Sequence, residues 1–121
     1  MTIKAILACD DYGGVSKKGT LPWPHNSTDL KWFKSNTVNS IVIMGSTTWE
    51  DPDITTWIIG GPNIIEQTLG VIDEFYLSRI PGAYACDTFL PLKKIESLFY
   101  RSWIEEEDDV TFEIWKKRGT K

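Results

Sequence analysis

Apolar positions along the chain fall into short blocks separated by polar or glycine-bearing stretches. Ile3 to Ala8 (IKAILA) is an apolar, branched run suited to a central strand. Ser40 to Met44 (SIVIM) and Thr55 to Ile59 (TTWII) are continuous apolar runs, as expected for strands buried on both faces. Glu74 to Ile80 (EFYLSRI) alternates and reads as a further strand. Leu98 to Ile104 and Val110 to Lys116 predict two more, joined by the acidic turn Glu105 to Asp109 into a C-terminal hairpin. The polar residues 10–22 (DDYGGVSKKGTLP) predict a long loop. Asn26 reads as the N-cap of a helix over 27–37, with Asp29 three places later in a capping-box-like position. Gly45 to Thr48 looks like a turn into a helical start, and Pro62 to Leu69 like a helix opened by proline. Strand–helix alternation closed by a hairpin predicts an α/β fold. Its central sheet is mostly parallel, with an antiparallel C-terminal hairpin and helices on both faces.

Length and composition narrow the class. A chain of 121 residues is most simply one domain over 1–121. Its formal net charge of -4 argues against a nucleic-acid partner, which needs a basic footprint. No apolar run reaches the roughly 18 to 20 residues of a membrane helix, and no secretory signal opens the sequence, so a cytoplasmic location is expected. Cys9 and Cys86 lack metal-ligand spacing and are read as free thiols. No metal site is expected. Six tryptophans promise either a well-filled core or an aromatic ligand cleft.

Two corners and one acid carry the candidate chemistry. The stretches SIVIMG-STTW and TWIIGG-PNII each end a strand in glycine immediately before a helix, a natural seat for phosphate. Such glycines also serve simply as turns. Asp29 stands in TLPWPHNSTDLKWFK, among Trp23, Leu30, Trp32 and Phe33. An Asp in the first helical turn complements the helix dipole, which is reading enough for many such residues. Alternatively, Asp29 and Phe33 share a helix face, and a carboxylate beside apolar walls suits a flat, nitrogen-rich heterocycle held by a forked pair of N–H donors.

Together the pieces resemble dihydrofolate reductase. VSKKGTLPW (15–23) is similar to that family's active-site loop and TDLKWFKSNT (28–37) to its substrate helix. IVIMGSTTWE (41–50) and WIIGGPNIIEQ (57–67) resemble its two nucleotide-binding corners. DEFYLSRI (73–80), DTFLP (87–91) and the final TFEIWKK complete the order. The resemblance implies reduction of 7,8-dihydrofolate to tetrahydrofolate by hydride from NADPH, with NADH as a possible substitute. It makes Asp29 the acid that holds the pterin and favours protonation at N5, oriented by Ser78, where the family usually has Thr, through a water. It places Ile6 and Ala8 on the floor and Leu30 and Phe33 on the walls, with Leu21 and Trp23 closing from the loop. Val15, Ser16, Ile59, Gly60 and Gly61, with Ala8, would meet the nicotinamide half. Thr48 and the backbone at Gly45 would receive the pyrophosphate.

The departures are as informative. In the family several more elements, supporting the adenosine half of the cofactor, separate the two corners. Here only TTWEDPDITT (47–56) bridges them. Ser46 and Thr47 stand where the family commonly has a basic residue, so weak NADPH binding with little preference over NADH is expected. Ile65 replaces a Tyr near the nicotinamide, and Lys34 or Lys31 is the candidate for holding the glutamate tail. The alternatives are a non-catalytic relative that lost productive cofactor binding, or a reductase of a related pterin or pyrimidine. On the first reading antifolates are possible ligands, and the sequence leaves sensitivity to them open. An uncovered sheet edge leaves monomer and homo-oligomer both open.

Overall fold

The branched N-terminal run forms β1 (Thr2–Cys9), the first strand of a six-stranded sheet. The computed structural model describes residues 2–17, 22–24, 26–37, 41–44, 55–60 and 62–119. The remaining elements are β2 (Gly14–Ser16), α1 (Ser27–Thr37), β3 (Ile41–Met44), β4 (Thr55–Gly60), α2 (Pro62–Thr68) and β5 (Glu74–Arg79). They are followed by β6 (Thr88–Phe89), α3 (Leu92–Leu98), β7 (Phe99–Glu106) and β8 (Thr111–Lys117). The main sheet runs β3-β4-β1-β5-β8-β7, and a two-stranded sheet joins β2 to β6. β3, β4, β1 and β5 are parallel, whereas β8 pairs antiparallel with both β5 and β7. The expected mixed sheet and terminal hairpin are both present.

Alternation along β1 divides the core. Ile3, Ala5 and Cys9 pack with Ile65 and Leu69 of the α2 region, Ile95 of α3, and Phe75, Phe99 and Trp115. On the opposite face α1 lies over the sheet through Trp32, whose ring stacks on Phe112 at 4.4 Å and tilts against Tyr76 at 5.6 Å. Trp57 meets Tyr76 edge-on at 4.9 Å, with the Lys4 ammonium over both rings. Helices thus occupy both faces, and the buried apolar area between layers is what holds them there.

Three elements were not foreseen. β2 and β6 are too short to show periodicity, and α3 is a seven-residue helix that the strand pattern beginning at Leu98 concealed. α3 opens after Pro91 without a side-chain cap, and Ile95 is its buried anchor. Cys9 and Cys86 are free thiols, the first buried and the second half-buried. No described helix is long and apolar enough to cross a membrane.

Candidate active site

The carboxyl ends of parallel strands are where open α/β sheets receive ligands, because connecting chains diverge there. β1 and β5 pair in register Ile6↔Tyr76 and Ala8↔Ser78, which brings Ala8 and Ser78 side by side under α1. α1 starts where Asn26 caps it: the Asp29 backbone N–H donates to Asn26 Oδ1 at 2.9 Å. This half of the capping box forms. The Asp29 side chain lines the same cleft as Ser78 of β5, whose hydroxyl is near enough to favour its ionised form.

A cleft of about 230 Å³ results, lined by Ile6, Leu7, Ala8, Val15, Asp29, Leu30, Phe33, Ile59 and Ser78. Among the described residues Asp29 is the one charged residue in that lining, and Ser78 the one hydroxyl. Burial among apolar walls pushes the Asp29 carboxyl above its ordinary range, the Ser78 hydrogen bond opposes this, and the charge of Asp109 adds to it. An acid in this setting offers two oxygens to a pair of N–H donors and accepts a proton more readily than a solvated one. The apolar walls exclude water and strengthen both interactions.

Among the described residues, most of the expected contact residues assemble here. Ile6, Ala8, Val15, Leu30, Phe33, Ile59 and Ser78 all line the cleft with Asp29. Gly60 ends β4, one residue beyond Ile59. Other expected residues stand elsewhere. Trp23, expected to close over the site, is buried with Ile80, Val110 and Phe112, its ring edge-on to Tyr84 at 5.9 Å. Ile65 is fully buried in the core against α2's neighbours and offers nothing to a ligand. Ser16 contributes its carbonyl to the Asp87 N–H at 3.0 Å, and its side chain is not part of the lining. Lys34 and Lys31 are exposed on α1, outside the lining. Leu21, Gly45, Ser46, Thr47, Thr48 and Gly61 lie outside the described residues.

Two contributors escaped the sequence. Leu7 reaches the cleft although alternation assigns it to the other face. Asp10 organises the approach to β2. It is 1% exposed, and its Oδ1 accepts the N–H groups of Tyr12 and Gly14 at 2.8 Å each. Its Oδ2 accepts the Tyr84 N–H at 3.3 Å and faces the Cys86 thiol at 3.5 Å. Burial opposes the charge, but the backbone donors outweigh it and hold Asp10 below its ordinary range. DD in a glycine-rich stretch gave no hint of which Asp would be buried, because only the fold brings Tyr84 and Cys86 beside the first.

An open α/β sheet with an acid in a largely apolar cleft at the ends of its parallel strands is the architecture of a small-molecule binding domain. Comparison with known proteins sharpens that class. Residues 2–55 match the family model described as dihydrofolate reductase. A dihydrofolate reductase of Buchnera aphidicola subsp. Schizaphis graminum is 40% identical over 132 residues, covering 78% of this chain and 81% of that protein. The Haemophilus influenzae dihydrofolate reductase is 27% identical, covering 90% of this chain and 88% of its own length. A solved Enterococcus faecalis dihydrofolate reductase complexed with NADP(H) superposes with TM-score 0.77 at 20% identity, covering 98% and 97% of the two chains. The chain belongs to the dihydrofolate reductase family. It is a short member: alignment to the enzyme of Buchnera aphidicola subsp. Baizongia pistaciae extends over 163 positions against 121 residues here, leaving several dozen without a counterpart.

Proposed function

We propose that this chain reduces 7,8-dihydrofolate to 5,6,7,8-tetrahydrofolate with NADPH as the hydride donor, serving one-carbon and thymidylate metabolism. The observation that carries the reading is the Asp29 carboxylate in a cleft whose other described lining is apolar except for the Ser78 hydroxyl. Asp29 accepts two N–H groups from the amidine-like edge of the pterin, a charge-assisted forked pair. Leu30 and Phe33 flank the rings, and Ile6 and Ala8 support them from the sheet. Val15, Ala8 and Ile59 form an apolar surface that fits the uncharged face of a nicotinamide. NADPH, when bound, supplies the hydride that is delivered to C6 of the pterin, while a proton is added at N5. Asp29, bound at the far side of the ring, stabilises the positive charge that this proton brings. The chain's part is alignment, desolvation and electrostatic support. The same forked contact suits antifolates that carry a diamino heterocycle.

Weak NADPH binding is part of this proposal, because the neutral Ser46 and Thr47 replace a charge-assisted phosphate contact of roughly 1.5 to 3 kcal/mol. Lys34 remains the candidate for the glutamate tail, which would require the tail to leave the cleft along the exposed side of α1. The test is dihydrofolate-dependent loss of the NADPH absorbance in wild type and in Asp29→Asn. Turnover in wild type that collapses in the variant is the expected result. Equal turnover in both proteins rejects the role given to Asp29, and methotrexate binding without turnover in wild type rejects the activity.

A further inference from the structure

The first turn of α1 is held from two directions. Asn26 Oδ1 accepts the Asp29 N–H at 2.9 Å, and Asn26 Nδ2 donates to the Asp109 carbonyl at 3.0 Å. Asn26 is therefore a bridge between the β7–β8 turn and the residue that carries the cleft's charge. The turn is closed by its own hydrogen bond, from the Glu107 N–H to the Val110 carbonyl at 2.8 Å, and Val110 is fully buried. The turn is thus anchored at its base, and Asn26 is docked on a fixed point.

We propose that Asn26 and Asp109 are positioning residues for Asp29, the acidic β7–β8 turn being clamped to the first turn of α1 so that the Asp109 charge is held near Asp29, outside the cleft lining. The inference rests on the reductase reading for its catalytic meaning but not for its physical content. Among the described residues the cleft lining around Asp29 carries no other charge: β1, β2 and β4 present Ile6, Leu7, Ala8, Val15 and Ile59, and β5 presents the Ser78 hydroxyl. Arg79, next to Ser78, is turned to Glu113. Among the described residues Asp109 is the charge that acts on Asp29, and it acts in the same direction as burial. A carboxylate that must support a protonated pterin gains from a neighbour of like sign. The neighbour raises the proton affinity of the whole acid–ligand assembly.

Two variants separate charge from clamp. Asp109→Asn removes the charge and keeps the backbone carbonyl that Asn26 holds. Asn26→Ser keeps an acceptor for the Asp29 N–H, since Ser caps a helix as well as Asn does, but has no amide to reach Asp109. The readout is the carboxyl carbon titration of Asp29 by NMR, assigned through its loss in Asp29→Asn. The midpoint should move to lower pH in Asp109→Asn. It should move the same way in Asn26→Ser, and the double variant should fall no further than the larger single shift. High salt should reproduce part of the shift in wild type, because screening shortens from about 10 Å at 0.1 M to about 3 Å at 1 M. The pH profile of kcat should shift with the NMR midpoint. An unmoved midpoint in Asp109→Asn overturns the role of the charge, and additive shifts in the double variant overturn the clamp. Absence of turnover in wild type would fail the reductase reading alone, since the titration still decides the inference.

Discussion

Asp10 lies under the loop that brings Val15 to the cleft, and Asp10→Asn isolates what its carboxylate contributes. The Asn carbonyl can keep the Oδ1 bonds to Tyr12 and Gly14 but makes them neutral, a loss of about 1 kcal/mol each. Its amide group then faces the Tyr84 N–H, donor to donor, at a cost of about 1 to 3 kcal/mol. Relief from burying a charge offsets part of this, leaving a net loss of about 2 to 4 kcal/mol. Urea unfolding is the assay. With a slope of about 1 to 3 kcal/mol per molar, the midpoint should fall by roughly 1 to 2 M at neutral pH. The sign of the pH dependence follows from the depressed native value. Such an acid contributes its stability above the unfolded carboxylate value of about 3.9 and loses it as pH falls through the native one. The gap between wild type and variant should therefore be full at neutral pH and narrow in acid. A midpoint unchanged at neutral pH, or a gap that stays constant into acid, would refute the account of Asp10 as a charged hub.

Further predictions draw on other sites. Asp29→Asn should lower kcat/KM for dihydrofolate by about 10² to 10⁴, the loss of a charge-assisted forked pair. The same variant should unfold at higher urea concentration than wild type at neutral pH. The raised native value means that the ionised acid costs stability there, a cost that disappears at pH values below the ordinary carboxylate range. Gly14→Ala should destabilise by about 1 to 3 kcal/mol, because its Cβ would lie 2.5 Å from that of Cys86; Cys86→Gly in the same chain should restore most of the loss. Glu113→Ala should cost about 2 to 4 kcal/mol in urea unfolding, since it strands the buried Trp115 indole N–H at 2.9 Å and releases Arg79 and Arg101. Steady-state kinetics should give KM values for NADPH and NADH within about tenfold, a difference of less than roughly 1.4 kcal/mol.

The six strands of the main sheet and the extent of α1 were legible because each rests on a local pattern. Branched runs gave β1, β4 and β5, and an asparagine cap fixed the start of α1 at Ser27, where the structure has it. The floor and walls of the cleft were legible through family likeness joined to that pattern. What escaped depends on distant partners. Trp23 reads as a loop aromatic free to close on a ligand, yet the pocket formed by Ile80, Val110 and Phe112 takes it into the core. Asp10 and Asp11 are equivalent as letters, and only the approach of residues 82–86 tells them apart: Asp10 bonds the Tyr84 N–H, whereas Asp11 takes the exposed Gly82 N–H at 2.9 Å. Asn26 was readable as a cap but not as a bridge, because its second partner lies 83 positions away.

β8 is the latest of the described strands in the sequence, yet it sits inside the sheet between β5 and β7, and its Phe112 is the surface on which Trp32 stacks. A nascent polypeptide leaving the ribosome has therefore emitted every group of the cleft, Ser78 being the last, well before the strand that seats the helix above them. Antifolate capture should accordingly be a property of finished molecules: stalled or prematurely terminated products carry the whole set of contacts and lack the order that makes them a receptor.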